Sequence, residues 1–272
     1  MENLLYFAVI INFFASIVFC TFGFGDSMLA IPILSTFLPL KIATPFMCMT
    51  GLILSVTLII KEAKSLAWKD AIYLVFGSFL GVPIGVYFLK NGNDLYSRLG
   101  LAGVIIFISI FKIFYKGNIV LKKDWYGIPF GFLGGIMSGA FNMSGPAVVI
   151  FGTLKKWPPK KFVATLQAYF LPTNFLALFG FYTSDVLTND VLKMVLYALP
   201  GLVFAIFIGG KLNRKMKPQV FEKYINYFLL IIGFLLIFTT LNKLIPKKKI
   251  KKKKKTKILI KKKKKNFFCE KK

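Results

Sequence analysis

Residues 22–27 read Phe-Gly-Phe-Gly-Asp-Ser and interrupt an apolar segment that would otherwise form one long helix. A related interruption, Phe-Asn-Met-Ser-Gly-Pro, occupies residues 141–146. Backbone N–H and C=O groups that a break frees inside a bilayer are costly unless they line a protein cavity or contact a ligand. Breaks at corresponding points in the two halves of a membrane protein therefore indicate a binding site.

The composition is that of a polytopic membrane protein. Hydrophobic residues make up 56% of the 272 residues, and the mean hydropathy is +0.67. Several apolar runs reach the roughly 20 residues that a helix needs to cross the hydrocarbon core. Residues 191–210, for example, contain no charged side chain except Lys193. We therefore predict an all-α, multi-pass membrane protein.

Eight apolar segments follow one another in two sets of four. They cover residues 4–38, 42–60, 68–89 and 99–114, and then 125–154, 162–181, 191–210 and 224–244. At about 1.5 Å per residue, the first and fifth segments would reach roughly 52 and 45 Å as straight helices, against a hydrocarbon core of about 30 Å. Each of these two transmembrane segments must therefore tilt, break or re-enter, and the two interruptions lie where a break would help.

Short matches between the two sets indicate an internal duplication. Ile-Ala-Thr at residues 42–44 matches Val-Ala-Thr at 163–165, and the small residues Gly77, Gly81 and Gly85 match Gly201, Ala205 and Gly209. Small residues four apart on one helix face let helix backbones approach closely. We predict a first repeat over residues 1–120, a second over residues 121–245, and a disordered low-complexity tail over residues 246–272.

The formal charge of +27 is concentrated in that tail, because 16 of the 37 Lys and Arg residues follow Pro246. The other basic residues are spread over loop ends, as expected for anchors of helix termini. We therefore expect no nucleic-acid partner. The tail itself is either a disordered extension or a segment attracted to anionic lipid headgroups.

Asp26 is the most unusual ionisable residue, since it lies far from either end of its apolar segment. An intramembrane carboxylate is expensive and is a functional candidate by default. Asp26 could exchange protons and so couple transport to a proton gradient, because desolvation favours its neutral form. It could also cap the half-helix that begins near Ser27. The two roles are compatible.

The second break offers a matching helix start, since Ser144 can cap a helix and Pro146 fits a first turn. Two half-helix N-termini would then point inward, each with about half a positive charge and unpaired N–H donors, and together they predict an anion site without Lys or Arg. Asn142 and Gln167 could add amide donors or bond neighbouring helices. The candidate substrate-binding residues are Gly23, Gly25, Asp26, Ser27, Asn142, Ser144, Gly145, Pro146 and Gln167.

The chain contains no histidine, and its three cysteines show no paired spacing. Most metal sites and every His-based catalytic scheme are therefore excluded, and we expect no metal, no cofactor and no enzymatic activity. A nucleotide-binding Gly-x-x-x-x-Gly-Lys-Ser/Thr loop is also absent from the sequence, which favours an ion gradient over ATP as the energy source. Two kinds of function remain open for such a membrane protein: it is a transporter, or it is a structural or assembly protein whose broken helices bind a partner helix.

Two stretches carry a family resemblance: residues 22–34 (FGFGDSMLAIPIL) and residues 142–170 (NMSGPAVVIFGTLKKWPPKKFVATLQAYF). They resemble the signature regions of the TauE/SafE sulfite exporter family of membrane permeases, and the similarity covers roughly residues 4–244. The resemblance implies two four-helix repeats and a secondary transporter for small sulfur-containing or other organic anions, such as sulfite or sulfonates. We therefore predict a plasma-membrane permease that exports such an anion by alternating access, with the paired breaks as its site. The expected partners are this anion and the lipid bilayer, and no sequence feature indicates an oligomer.

Overall fold

A computed structural model describes residues 2–62, 66–114 and 120–213, together with five single positions between residues 231 and 240. These parts of the chain are all-helical, which confirms the predicted fold class, and they contain no strand. The helices are α1 (Glu2–Phe22), α2 (Asp26–Phe37), α3 (Leu40–Glu62), α4 (Trp68–Asn91), α5 (Asp94–Phe114), α6 (Gly127–Phe141), α7 (Gly145–Leu154), α8 (Pro159–Thr183) and α9 (Asn189–Asn213). A single 3-10 turn, Asp124–Tyr126, precedes α6.

Six of the described helices, namely α1, α3, α4, α5, α8 and α9, are long and apolar enough to cross a membrane. The count of eight segments is not confirmed, because residues 224–244 lie outside the described residues except for the five single positions. The tail after residue 245 also lies outside them. The predicted repeat boundaries therefore stay a prediction.

Both long apolar segments break where the sequence predicted, and the chain then turns back on itself. The Phe37 ring at the end of α2 lies 5.3 Å from the Phe7 ring near the start of α1, measured between centroids. In the second half, the N–H of Leu121, just before α6, donates to the carbonyl of Leu154 at the end of α7, at 2.9 Å. Each segment is therefore a helical hairpin whose first arm, of 21 residues in α1 and 15 in α6, is longer than its returning arm, of 12 residues in α2 and 10 in α7.

The predicted close approach at the α4 glycines is made with α6. A methyl group on Gly81 would overlap the backbone carbonyl of Phe132, and one on Gly131 of α6 would overlap that of Leu74. The α6 residues Gly131, Gly135 and Gly139 thus form a second small-residue row that faces the first. Helices α9 and α1 also approach each other closely at a glycine, since a methyl group on Gly209 would overlap the Cys20 side chain. The first helix of each hairpin therefore packs on a helix from the other half of the chain.

Candidate functional site

The tips of the two hairpins meet. The side-chain amide of Asn142, at the tip of the second hairpin, donates a 2.9 Å hydrogen bond to the Ser27 hydroxyl at the tip of the first. Three residues at these tips have left-handed backbone conformations: Gly23 (φ 81°), Gly25 (φ 99°) and Asn142 (φ 52°). Glycine adopts such angles without a steric penalty, and Asn tolerates them better than most residues. The Gly-rich and Asn-containing breaks in the sequence are therefore what allows the chain to reverse.

The returning arms α2 and α7 both begin where the two hairpin tips meet. Neither Asp26 nor Ser144 makes the N-cap contact in the form that the sequence suggested. Helix α2 begins at Asp26 itself, and Gly25 occupies the N-cap position. Ser144 does occupy the N-cap position of α7, and Pro146 lies in the first turn as predicted. Ser144 makes no side-chain cap hydrogen bond, so its predicted capping role is wrong. Asp26 is not the N-cap residue, but its carboxylate accepts a hydrogen bond from the backbone N–H of Ser27 and so satisfies a free N–H at the start of α2, as the predicted role required. The Ser144 backbone is already helical (φ −69°, ψ −21°), whereas a capping side chain needs an extended backbone.

A cavity lies between the two tips and both helix N-termini. Six of the predicted site residues line it, namely Gly25, Asp26, Ser27, Asn142, Ser144 and Gly145. Phe19, Met28, Gly51, Met143, Phe170 and Asn174 complete the lining. The cavity volume is about 20 Å³, which is room for roughly one water molecule. An oxyanion would therefore require the surrounding groups to move apart.

Three predicted site residues, Gly23, Pro146 and Gln167, are not part of this lining. The Gln167 amide instead donates a 2.6 Å hydrogen bond to the Gly23 carbonyl, and both groups are buried. This bond joins α8 to the first hairpin and satisfies a carbonyl that the break frees. Of the two roles left open for Gln167, the structure shows the interhelical bond.

Sequence reasoning missed Asn174 of α8 and Gly51 of α3 as cavity residues. The Asn174 side chain is 7% exposed, and its amide has no hydrogen-bond partner within the described part of the chain. A buried polar group normally has a partner, so a bare amide that faces a cavity is available to a ligand. The only sequence signal was an amide inside the apolar segment 162–181, and Gly51 gave none.

The charge of the cavity comes from one carboxylate and two helix ends. Asp26 is 6% exposed and is the one acidic side chain among the twelve lining residues, which include no Lys or Arg. The N-termini of α2 and α7 each contribute roughly half a positive charge and unpaired N–H donors. The two helix ends therefore offset the Asp26 charge when that carboxyl group is ionised.

A second polar cluster holds the far end of α7. Lys155, at the C-cap of this helix, forms ion pairs with Asp70 of α4, at 2.9 Å, and with Asp124 of the 3-10 turn. The indole N–H of Trp157 donates to the other Asp70 oxygen at 2.9 Å. The hydrogen bond from Lys155 holds the pKa of the Asp124 carboxyl below its ordinary value. The cluster therefore fixes the returning arm of the second hairpin at the end opposite the cavity.

Comparison with known proteins identifies the family of this chain. The family described as Sulfite exporter TauE/SafE matches residues 8–260. The chain is also 28% identical over 221 residues to the protein called Probable membrane transporter protein YunE of Bacillus subtilis (strain 168), which covers 68% of this chain and 76% of that protein. No solved structure matches it. The chain therefore belongs to the sulfite exporter TauE/SafE family and is a multi-pass membrane transporter.

Proposed function

We propose that this transporter exports a small oxyanion of sulfur, such as sulfite or a sulfonate, and binds it in the cavity between the two hairpin tips. One observation carries the proposal: two half-helix N-termini, α2 and α7, begin at the same cavity. Their N–H groups and partial positive charges suit an anion that needs no Lys or Arg partner. The proposal makes the protein a permease without enzymatic activity.

Transport is by alternating access, in which the cavity opens to one side of the membrane and then to the other. The hairpins belong to different halves of the chain, so a relative movement of the halves would separate Ser27 from Asn142 and widen the cavity. An ion gradient drives export, and Asp26 couples the two flows by exchanging a proton. Support for this role comes from its burial and from its place in the cavity lining.

The binding site can be tested with full-length protein in proteoliposomes loaded with labelled sulfite. In Gly145→Leu the added side chain enters the cavity, and we expect sulfite efflux to fall at least tenfold. The matched control is Gly103→Leu on α5, where an added Cβ meets nothing within 4 Å. Equal efflux from Gly145→Leu and wild type, in protein with an unchanged melting temperature, would refute the site. No flux of sulfite or any sulfonate through wild-type protein would refute the proposed substrate class.

Proton coupling has its own test in Asp26→Asn. This variant should still exchange labelled for unlabelled sulfite, but it should no longer accumulate sulfite against its gradient when a pH difference is imposed. Uphill export by Asp26→Asn at the wild-type rate would show that another group carries the proton.

A further inference from the structure

The space beside Gly51 lies between a hydrogen-bond acceptor and a hydrogen-bond donor. A methyl group placed on Gly51 would be 3.5 Å from the Oδ2 atom of Asp26 and 3.7 Å from the Nδ2 atom of Asn174. All three residues line the cavity. A ligand oxygen cannot take the methyl position itself, because a Cβ lies only about 1.5 Å from its Cα. In van der Waals contact with Gly51 the oxygen lies farther into the cavity, which the Asp26 and Asn174 side chains also line.

The two neighbouring groups impose opposite requirements on that oxygen. The Asn174 amide nitrogen only donates, and it has no other partner within the described residues. An ionised Asp26 carboxylate only accepts. An oxygen that satisfies both groups must accept one hydrogen bond and donate another, and a hydroxyl group does this. A deprotonated oxyanion oxygen would instead place a negative charge against the Asp26 carboxylate.

The net charge of the cavity also favours a ligand that keeps a proton on this oxygen. Two helix N-termini contribute about one positive charge together, which an ionised Asp26 offsets. The cavity lining includes no Lys or Arg, so every negative charge on the ligand enters a nearly neutral cavity, and a second charge costs more than the first. A doubly charged oxyanion is therefore disfavoured, whereas a singly charged one keeps the remaining N–H donors of α2 and α7 as partners.

We propose that the cavity selects singly charged oxyanions that carry an acidic hydroxyl group, and that Asp26 and Asn174 determine this specificity by binding that hydroxyl. This inference rests on the proposed function and narrows its substrate class: hydrogen sulfite fits, whereas sulfite dianion and sulfonates without a hydroxyl group fit poorly. An exchange of substrate for protons requires Asp26 to be ionised while the anion is bound. That is also the state in which the carboxylate can accept the hydrogen bond.

Two ligands of the same shape test the proposal. Methanesulfonate and the monoanion of methylphosphonate are both tetrahedral and singly charged, and they differ in one hydroxyl group. We would measure the dissociation constant of each for purified full-length protein by calorimetry, at a pH where methylphosphonate is the monoanion. A hydrogen bond to a charged group changes affinity by about 10- to 100-fold, so methylphosphonate should bind more tightly than methanesulfonate by that factor.

Two variants assign this preference to residues. In Asp26→Asn the new amide can donate to a sulfonate oxygen, so the ratio of the two dissociation constants should fall to within about threefold of unity. In Gly51→Ala the methyl group meets Asp26 Oδ2 at 3.5 Å and Asn174 Nδ2 at 3.7 Å, which are ordinary van der Waals distances, so the protein should fold. The methyl group should displace the ligand hydroxyl from these two side chains and so abolish the preference. The control for net charge is Asp190→Asn at the start of α9, which should keep the wild-type ratio.

The outcomes separate this inference from the proposed function. Equal binding of the two ligands by wild-type protein would overturn the inference, and so would an unchanged ratio in both Asp26→Asn and Gly51→Ala. Binding of neither ligand by protein that moves sulfite would overturn it as well. In each of these cases sulfite efflux that is lost in Gly145→Leu would leave the proposed transport site standing.

Discussion

Replacing Lys155 by methionine should destabilise the protein more than any other single change to a lysine near α7. The Asp70 side chain is only 7% exposed, and Lys155 is 9% exposed. Loss of the ammonium group leaves the Asp70 carboxylate buried with the Trp157 N–H as its remaining donor. Removing one partner of a buried ion pair costs about 3–5 kcal/mol. Asp124 is 38% exposed, so its lost ion pair adds no more than about 1 kcal/mol.

The measurement is the free energy of unfolding in detergent, from a denaturant titration followed by tryptophan fluorescence. Lys156→Met is the matched control, because Lys156 is the adjacent lysine and its side chain is exposed. Adding Asp70→Asn to Lys155→Met should recover at least about 2 kcal/mol, since asparagine keeps an oxygen for the Trp157 N–H without a buried charge. The reasoning fails if Lys155→Met costs no more than Lys156→Met, or if the double variant is as unstable as Lys155→Met alone.

The same cluster predicts a pH dependence. Lys155 holds the pKa of Asp124 below its ordinary value in the folded protein, so this pair stabilises the fold above the pKa that an unfolded Asp has. That contribution disappears as the pH falls through the lowered folded value. The stability difference between wild type and Asp124→Asn should therefore be present at neutral pH and shrink at acid pH. A difference that grows on acidification would contradict the assignment.

Two further variants test the packing around the site. Gly81→Ala should lower the free energy of unfolding by at least about 1–3 kcal/mol, because its methyl group overlaps a backbone carbonyl of α6. Its control is Gly103→Ala, whose methyl group lies in open space and should be neutral or stabilising by up to about 1 kcal/mol. Equal effects of the two variants would contradict the close approach of α4 and α6. Gln167→Met keeps the side-chain volume but leaves the buried Gly23 carbonyl without its donor, so it should cost about 1–3 kcal/mol in the same titration. An unchanged stability would mean that another group satisfies that carbonyl.

The sequence was sufficient for properties that depend on local hydrophobicity and backbone chemistry. A run of 35 apolar residues is too long for one straight span, so its length alone required the first segment to tilt, break or re-enter. The Gly and Asn residues at the breaks marked where a reversal is possible. The glycines four residues apart on α4 predicted a close helix contact, and the Pro146 position predicted a helix start. Each of these signals lies within a few helical turns of the feature that it predicts.

The sequence could not show which of tilting, breaking or re-entry the long segments use, or which groups would meet. The reversal depends on contacts such as Phe7 with Phe37, and the partner of the α4 glycines is a glycine row on α6 in the other half of the chain. In the sequence, Gln167 was compatible both with a ligand contact and with an interhelical bond such as the one that it makes to Gly23. Only tertiary packing decides between such partners, because each candidate is equally polar in the sequence.

What the sequence by itself determined is an all-α membrane protein with two interrupted, overlong apolar segments and a carboxylate at one interruption. The tertiary structure alone decided that the breaks meet through Ser27 and Asn142, and that Gly51 and Asn174 complete the cavity around Asp26. The physical reason is that the transfer of side chains out of water and the hydrogen bonding of the backbone depend on each residue and its neighbours along the chain. The composition of a cavity instead depends on which distant helices pack together, and residues 26, 51, 142 and 174 become neighbours only when they do.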